Sequence, residues 1–258
     1  AFDESYEGPV LFMDEAVPAI FNNNIVNRFK ASDIETKSGG FGVQFNADPF
    51  DDQINEKVTS TNLNISLLPS LKEFEGTKLL GSYEVDNEGV VPADEIILVK
   101  DGILKNVMTT RTLVKDWHKS TGTNPSPGVV SVSVNKTQEI LSLKKDLISK
   151  AKEEGLDFAI IIRDFEIGRV LSCNIYKVSL KDGSEEFFTS AQLTDFDIKS
   201  LKKIVSSSKE RKAYNYPDRN TGGAVSYIVP TALLIEDVEI EKSYQRFNVE
   251  LPLVESPQ

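Results

Sequence analysis

Two Asp-Gly dipeptides, Asp101-Gly102 and Asp182-Gly183, constrain the fold more than any other feature of this sequence. The first lies between the apolar runs EIILV and ILKNV, and the second between VLSCNIYKVSL and EEFFTSA. An Asp-Gly pair readily adopts the positive backbone φ angles of a tight turn, so it is a strong β-hairpin signal between strand-like runs. The sequence therefore predicts two hairpins and many antiparallel strands.

Two segments carry helical periodicity. Apolar residues recur at every fourth position from Val17 to Phe29, which predicts a helix that ends near Lys30. Proline is tolerated in a helix only near its first turn, so this helix begins between residues 14 and 18. A second helix is predicted over about 137–154, because one apolar stripe runs along it and a glycine follows as its C-terminal stop.

The remaining segments are strand-like or loop-like. Strands are predicted in KLLGSYEV (78–85), in the alternating VVSVSV (129–134) and in a pair of runs over 225–242, whereas 31–61 has no sustained period and is predicted as a long loop. No low-complexity linker divides the chain. We therefore predict one domain over residues 1–258, with an α+β fold of antiparallel-rich sheets and a few helices.

Composition excludes some functions. The chain has 258 residues, 40% of them hydrophobic, which suffices for a sizeable core. Its net charge of -11 would repel a phosphate backbone, so we expect no nucleic acid partner. No apolar run approaches the roughly 18 to 20 residues of a spanning helix, so no membrane partner is expected.

Candidate ligands and nucleophiles are scarce. There is one histidine, His118, in a polar context, and one cysteine, Cys173, which alternates with Leu171 and Ile175 on the apolar side of its predicted strand. A surface histidine and a core cysteine are the favoured interpretations, with a Cys-His catalytic pair as the alternative. Neither a phosphate-binding glycine loop nor a G-x-S-x-G motif is present. From the residues alone, the chain has no self-sufficient active site.

One acidic stretch has the spacing of a calcium loop. In EVDNEGVVPADE (84–95), acidic residues and a glycine fall at positions 1, 3, 5, 6 and 12. Glutamate at positions 1 and 5, a proline at position 9 and the strand-like flanks all argue against a helix-flanked cation site. An acidic turn between strands is the favoured interpretation.

Four segments together resemble a known family. YEGPVLF (6–12), the block GSYEVDNEGVVPADEIILVKDGILKNVMTTR (81–111), STGTN (120–124) and VPTALLIEDVEIE (229–241) are similar to the C-terminal domain of the TldD/PmbA family, whose members are often described as modulators of DNA gyrase. The sequence departs from the family at the acidic turn, where two residues rather than one separate the glycine from the proline. The resemblance implies a further N-terminal domain of comparable size that this chain does not contain.

The resemblance also implies a zinc-dependent peptidase that acts on small peptide precursors and unfolded proteins, in the cytoplasm for typical members. Active members hold the metal with a H-E-x-x-x-H helix and a distant cysteine. On this sequence the two histidine positions are Asp14 and Ala19, the general-base position is Glu15, and the cysteine would fall within Asn215–Val225, which contains none. We therefore expect no zinc or other cofactor in this chain.

Two classes of function follow from the resemblance. The family includes subunits that lack the histidine motif and act beside an active partner, so this chain is expected to be a non-catalytic subunit of a homo- or heterodimer that handles a peptide. The alternatives are an active metallopeptidase with ligands supplied elsewhere and a stand-alone peptide- or protein-binding domain. Without catalysis, Asp14 and Glu15 are predicted to cap the N-terminus of the first helix.

Overall fold

The computed structural model describes residues 5–31, 50–111, 119–166, 172–194, 196–218 and 222–242. In these ranges the chain is rich in strands and has two α-helices, α1 (Ala16–Ile20) and α2 (Ile140–Glu153). The strands are β1 (Ser5–Met13), β2 (Leu63–Leu67), β3 (Glu73–Phe74), β4 (Thr77–Lys78), β5 (Ile96–Lys100), β6 (Ile103–Leu104), β7 (Val129–Val134), β8 (Thr137–Gln138), β9 (Phe158–Glu166), β10 (Ser172–Ser179), β11 (Glu185–Leu193), β12 (Ile204–Ser208), β13 (Arg211–Pro217), β14 (Ala224–Pro230) and β15 (Ala232–Lys242).

Short helical turns complete the set of elements. Helix α1 continues into a π-helical turn (Phe21–Ile25) and a 3-10 turn (Val26–Phe29), so the predicted end near Lys30 is confirmed. Two further 3-10 turns are Phe50–Gln53 and Ser200–Lys203. Most of the long loop predicted over 31–61 lies outside the described residues. No helix in the described part of the chain is long and apolar enough to cross a membrane.

The strands form two large sheets. The seven-stranded sheet has the order β1-β9-β10-β11-β15-β12-β8, and β15 also pairs with β1. Strands β1, β9, β10, β11 and β15 are therefore hydrogen-bonded in a closed ring. The six-stranded sheet has the order β13-β14-β7-β2-β5-β6, and β3 pairs with β4 in a separate ribbon.

Both large sheets are mixed. Most strand pairs are antiparallel, but β1 pairs with β9, β12 with β8 and β14 with β7 in parallel. The prediction of antiparallel-rich sheets therefore holds only in part. The parallel pairs join strands that are far apart in sequence, and alternation of apolar residues does not specify the partner of a strand.

The two helices occupy different layers. Helix α1 contacts β9 of the seven-stranded sheet and β14 of the six-stranded sheet, and one apolar cluster contains residues from α1 and from both sheets. Helix α2 packs on the other face of the seven-stranded sheet, where Leu143, Leu147 and Ala151 contact residues of β1, β9, β10 and β15. The start of α1 therefore lies where the two sheets meet.

Both predicted hairpins are confirmed. Strands β5 and β6 are joined by Asp101 and Gly102, whose φ angles of +51° and +77° suit a tight turn with two left-handed residues. Strands β10 and β11 are joined by residues 180–184, in which Gly183 has a φ of +72°. In each turn, the glycine of the Asp-Gly pair adopts a left-handed backbone conformation.

Helix α2 confirms the second predicted helix, with a later start. Residues 137 and 138 form β8 instead of a first helical turn. At the other end, Gly155 has a φ of +73° and donates to the Lys152 carbonyl, while Leu156 donates to the Ala151 carbonyl. These two hydrogen bonds form a Schellman cap, and this explains the predicted glycine stop.

The strand predicted in KLLGSYEV is wrong beyond its first residue. Leu80 and Gly81 donate their backbone N–H groups to the side chains of Asn215 and Ser226 rather than to a neighbouring strand. A Cβ at Gly81 would lie 2.3 Å from the Gly128 carbonyl oxygen. The segment therefore crosses the six-stranded sheet at close range, where a side chain would not fit.

Candidate functional site

The residues predicted from the family motif lie at the junction of β1 and α1. The backbone N–H of Asp14 donates to the Thr231 carbonyl at 2.9 Å, just beyond the last β1–β15 pair. Asp14 has a φ of +51°, so the chain turns sharply there. Helix α1 begins at Ala16, within the predicted interval, and Pro18 is its third residue.

The predicted capping role of Asp14 and Glu15 is wrong. Glu15 occupies the N-cap position but makes no side-chain hydrogen bond to the helix. A capping carboxylate would accept from the N–H of the second or third helical residue. The second, Val17, already donates to the Asp14 carbonyl at 3.3 Å, and the third, Pro18, has no N–H. Neither capping donor is therefore available to these carboxylates.

The Asp14 carboxylate instead joins a charged network on the outer face of the seven-stranded sheet. Arg163 Nη1 lies 3.3 Å from Asp14 Oδ2, and Arg163 Nη2 lies 2.8 Å from Glu185 Oε2. Lys144 Nζ lies 2.6 Å from the other Glu185 oxygen, and the Arg163 guanidinium lies 5.7 Å from the centre of the Tyr176 ring. The charge at the first motif position is thus balanced by a cation of the same chain.

The pKa values of this network reflect that pairing. Burial alone would lower the pKa of Arg163, but hydrogen bonds and charge from Glu185 and Asp14 outweigh it and raise the pKa. Burial alone would raise the pKa of Glu185, but the bonds from Lys144 and Arg163 outweigh it and lower the pKa. Both groups are held in their charged forms at neutral pH.

Ala19, at the second histidine position, is buried at 9% exposure, and its methyl group has no donor atom. All five residues of α1 are buried, as are Phe21, Ile25, Val26 and Phe29 in the turns that follow. A helical segment that is apolar on all sides belongs between two layers. The sequence showed an apolar stripe on one side of this helix only, so it did not predict that the helix is buried on all sides.

Two tyrosines of β13 approach the same place from the six-stranded sheet. Burial and then the charges of Asp14 and Glu15 raise the pKa of Tyr214 to about 12. Burial and the charge of Glu15 raise the pKa of Tyr216 further above its ordinary value. Tyr216 lies in the Asn215–Val225 stretch, to which the family resemblance assigns the cysteine ligand. The structure therefore brings Tyr216, one residue of this stretch, near the charge of Glu15 at the start of α1.

The tyrosines are anchored through a third ring. The rings of Tyr216 and Tyr227 meet edge to face, with centroids 5.9 Å apart and an interplanar angle of 77°. Tyr227 is buried and its hydroxyl donates to Asn22 Oδ1 at 3.0 Å, in the turn that continues α1. Packing and a hydrogen bond thus fix β14 and β13 against this helical segment.

The side chains at the motif positions do not fit a zinc ion. Zinc in catalytic sites is usually held by three protein ligands drawn from imidazole, thiolate and carboxylate groups. Here one carboxylate is paired with Arg163, Ala19 offers no ligand atom, and Tyr216 stays a neutral phenol at physiological pH. Among the described residues, no three His, Cys, Asp or Glu side chains are grouped closely enough to hold a metal ion.

Cys173 is a core residue, as predicted. Its side chain is fully buried on β10, and burial, with a smaller contribution from the charge of Asp164, raises the thiol pKa to about 12. A thiol with that pKa is not ionised at neutral pH and is a poor nucleophile. His118 lies outside the described residues.

The calcium-loop spacing is an acidic turn, as predicted. Glu84 pairs with Lys72 at 2.6 Å, and Glu88 accepts from the backbone N–H of Arg111 at 2.7 Å. The carboxylate of Asp86 accepts from backbone N–H groups of its own turn. These three carboxylates are bonded to different partners, so they do not converge on one cation.

Arg163, Tyr214 and Tyr216 were not among the residues predicted for the site. Arg163 is 149 positions from Asp14 in sequence, and nothing in IIIRDF distinguishes this arginine from any other strand residue. The two tyrosines alternate along β13 as half-buried strand residues do. Only the pairing of distant strands places these side chains near the start of α1.

Comparisons with known proteins match the whole described fold. Residues 5–242 match the PmbA/TldA metallopeptidase C-terminal domain. Among solved structures, the chain is similar to a candidate modulator of DNA gyrase from Thermotoga maritima, with a TM-score of 0.60 and 18% identity over 92% of this chain and 50% of that one. It is also similar to TldE from Thermococcus kodakarensis, with a TM-score of 0.60 and 16% identity over 93% of this chain and 51% of that one.

A third similar structure, a candidate modulator of DNA gyrase from Bacteroides thetaiotaomicron, has a TM-score of 0.55 and 13% identity over 93% of this chain and 48% of that one. The chain thus spans about half the length of the proteins it resembles. No curated protein matches it. The match over residues 5–242 places this chain in the PmbA/TldD family, with the fold of the family's metallopeptidase C-terminal domain.

Proposed function

We propose that this chain is a non-catalytic member of its family, which acts beside an active family subunit in peptide processing. One observation carries the proposal. At the first motif position, a carboxylate is bonded to Arg163 at 3.3 Å, so the place of a metal-ligand bond is taken by an internal ion pair.

The missing ligands bear directly on the chemistry. When bound, zinc in a peptidase lowers the pKa of a coordinated water and polarises the scissile carbonyl. A glutamate at the general-base position needs such an activated water to act upon. Glu15 remains at that position, beside Ala19 and the neutral phenol of Tyr216. This set of side chains supports retention of the peptidase scaffold without hydrolysis by this chain.

The geometry also supports a role in shaping a shared site. The start of α1 and strand β13 are held together by packed aromatic rings and by the Tyr227–Asn22 hydrogen bond. A rigid wall of this kind would be retained by a subunit that positions a peptide for its partner. The partner proposed is a family member with an intact H-E-x-x-x-H motif, in a heterodimer.

The test is cleavage of an unstructured peptide by this chain, by such a partner and by the mixture, each with and without a zinc chelator. The chain alone should give no chelator-sensitive cleavage, and it should co-elute with the partner on size exclusion. Glu15→Gln in this chain should leave cleavage by the mixture unchanged, whereas the same change in the partner's motif should abolish it.

Two outcomes would contradict the proposal in different ways. Chelator-sensitive cleavage by this chain alone, lost in Glu15→Gln, would make it an active metallopeptidase with ligands supplied elsewhere. No cleavage by this chain together with no binding to any motif-bearing family member would favour a stand-alone binding domain.

A further inference from the structure

A second concave site lies on the six-stranded sheet, away from α1. It is a cleft of about 240 Å³ lined by parts of three segments, 80–87, 124–126 and 223–224. Side chains alternate between the two faces of a strand. Val225 and Tyr227 face the apolar layer that contains α1, whereas Ser226 accepts the N–H of Gly81 on the opposite face. The cleft therefore lies on the other side of the six-stranded sheet from α1, although residues 223–224 belong to the Asn215–Val225 stretch.

The walls of the cleft are fixed by partly buried hydrogen bonds. Asp86, only 8% exposed, accepts from the backbone N–H groups of Glu88 and Val90 at 2.9 and 2.8 Å and from that of Asn124 at 3.3 Å. The Tyr83 hydroxyl donates to the Gly122 carbonyl at 2.8 Å. A preformed cleft loses little conformational freedom on binding, which favours a ligand that fits the existing shape.

The lining offers a ligand no free charge. Asp86 is the one acidic or basic residue that lines the cleft among the described residues, and its carboxylate already accepts three backbone hydrogen bonds. A charged ligand would lose its hydration there without gaining a counter-ion. The cleft is thus suited to a neutral group.

The cleft offers a ligand two kinds of surface, one apolar and one made of side-chain amides. Leu80 and Val85 are 58% and 50% exposed, and both line the cleft with the ring of Tyr83. Asn87 and Asn124 also line it, joined by a backbone hydrogen bond of 3.0 Å, and neither side-chain amide is hydrogen-bonded to a described residue. A side-chain amide both donates and accepts, as a peptide bond does.

The volume of the cleft limits the size of the group that it can bind. Pockets for drug-sized molecules measure about 300 to 1,000 Å³, so this cleft lies below their range and fits one side chain with its flanking peptide bonds. We propose that the cleft between segments 80–87 and 124–126 binds an extended peptide at one aliphatic residue, whose side chain packs on Leu80 and Val85 and whose peptide bonds meet the amides of Asn87 and Asn124. This binding is a property of the chain alone and does not depend on the proposed partner role.

The test is NMR titration of the isotopically labelled chain with two probes, N-acetyl-Gly-Leu-Gly-amide and N-acetyl-Gly-Asp-Gly-amide. The leucine probe should give saturable shifts at the amides of the lining segments and bind at least about tenfold more tightly, since burial of a leucine side chain corresponds to that factor or more. Val85→Asp and Leu80→Asp should each weaken the leucine probe by about tenfold.

Leu141→Asp is the matched control, because Leu141 is 75% exposed on α2 and receives the same change of charge. It should bind the leucine probe as the parent chain does. Asn87→Ala, at an exposed amide, gives an independent variant should either rim variant fold poorly. Equal affinity for the two probes, shifts outside the lining segments, or an equal loss in Leu141→Asp would overturn the proposal. Such a result would not bear on the proposed partner role, which peptide cleavage by the partner complex tests separately.

Discussion

The guanidinium of Arg163 lies 3.3 Å from the carboxylate of Asp14, the residue that the family resemblance assigns to the first histidine position of the zinc motif. Arg163 is itself held by Glu185, which is bonded in turn to Lys144 on α2. The ion pair therefore belongs to a network that joins β1, β9, β11 and α2. A metal ion at this carboxylate would have to compete with the Arg163 guanidinium for the same oxygen atoms.

The network makes stability depend on pH in the acid range. Glu185 has a folded-state pKa below its ordinary value of 4.5, so its stabilising effect is complete above that pH and is lost as the pH falls through the folded-state pKa. Glu185→Gln should lower the free energy of unfolding at pH 7 by about 1 kcal/mol, a figure reduced for partial exposure.

Urea titrations at pH 7 and pH 3 would measure this difference, which should be smaller at the lower pH. Glu84→Gln is the control, since the Glu84–Lys72 pair is more than 70% exposed on both sides, and it should have no measurable effect at either pH. A Glu185→Gln effect that is independent of pH would show that the charge of this residue is not what stabilises the fold.

The turn at Gly102 should be far less tolerant of a side chain than an equivalent turn elsewhere. Gly102 and Gly89 have nearly the same φ, +77° and +76°. A Cβ at Gly102 would lie 2.5 Å from the Ser60 carbonyl oxygen, whereas a Cβ at Gly89 would meet nothing within 4 Å. Gly89→Ala should cost about 1 kcal/mol for the left-handed backbone, and Gly102→Ala about 3 kcal/mol because the backbone must also shift. Equal losses by urea unfolding would contradict this account of the Gly102 turn.

Helix α2 should contribute to stability through its buried face. Leu147 is fully buried against the seven-stranded sheet, so Leu147→Ala should lower the free energy of unfolding by about 3 kcal/mol through the cavity it leaves. Leu141→Ala, on the exposed face of the same helix, should change it by no more than about 0.5 kcal/mol. Thermal or urea unfolding of both variants measures the contrast. Similar losses of stability in the two variants would contradict the packing of α2 on the sheet through its Leu147 face.

Cys173 should be unreactive in the folded chain. Its side chain is fully buried and its thiol pKa is raised to about 12, so almost no thiolate is present or accessible at pH 8. Ellman's reagent should give no colour with the native chain and one thiol per chain in denaturant. Rapid reaction of the native chain would reopen the alternative of a cysteine nucleophile.

Most of the local structure could be predicted from the sequence, because turns and helix ends depend on neighbouring residues. Asp101-Gly102 and Gly155 adopt the left-handed backbone that glycine permits, and both act where they were predicted. The strand prediction in KLLGSYEV was wrong because its apolar residues have the pattern of a strand. Gly81 instead allows the chain to pass close to the Gly128 carbonyl and Ser226. A contact between segments so far apart leaves no periodic signal.

The candidate site shows the same difference between features that nearby residues determine and features that distant strand pairing determines. The positions of Asp14, Glu15 and Ala19 came from a resemblance in one short segment, and the structure places them together at the start of α1. The cap assigned to the two acids failed because Pro18 removes one capping donor and the Asp14 carbonyl takes another. Arg163 and Tyr216 reach the site through parallel and long-range strand pairing, which alternation of apolar residues cannot specify.

The zinc content of the purified chain, measured by inductively coupled plasma mass spectrometry after dialysis at neutral pH, shows directly whether the motif positions hold a metal ion. Addition of equimolar zinc before dialysis guards against loss of metal during purification. Both samples should contain far less than one zinc per chain, because Asp14 is ion-paired with Arg163, Ala19 has no ligand atom, and Asn215–Val225 contains no cysteine. One zinc per chain, retained through dialysis and removed by a chelator, would contradict this prediction.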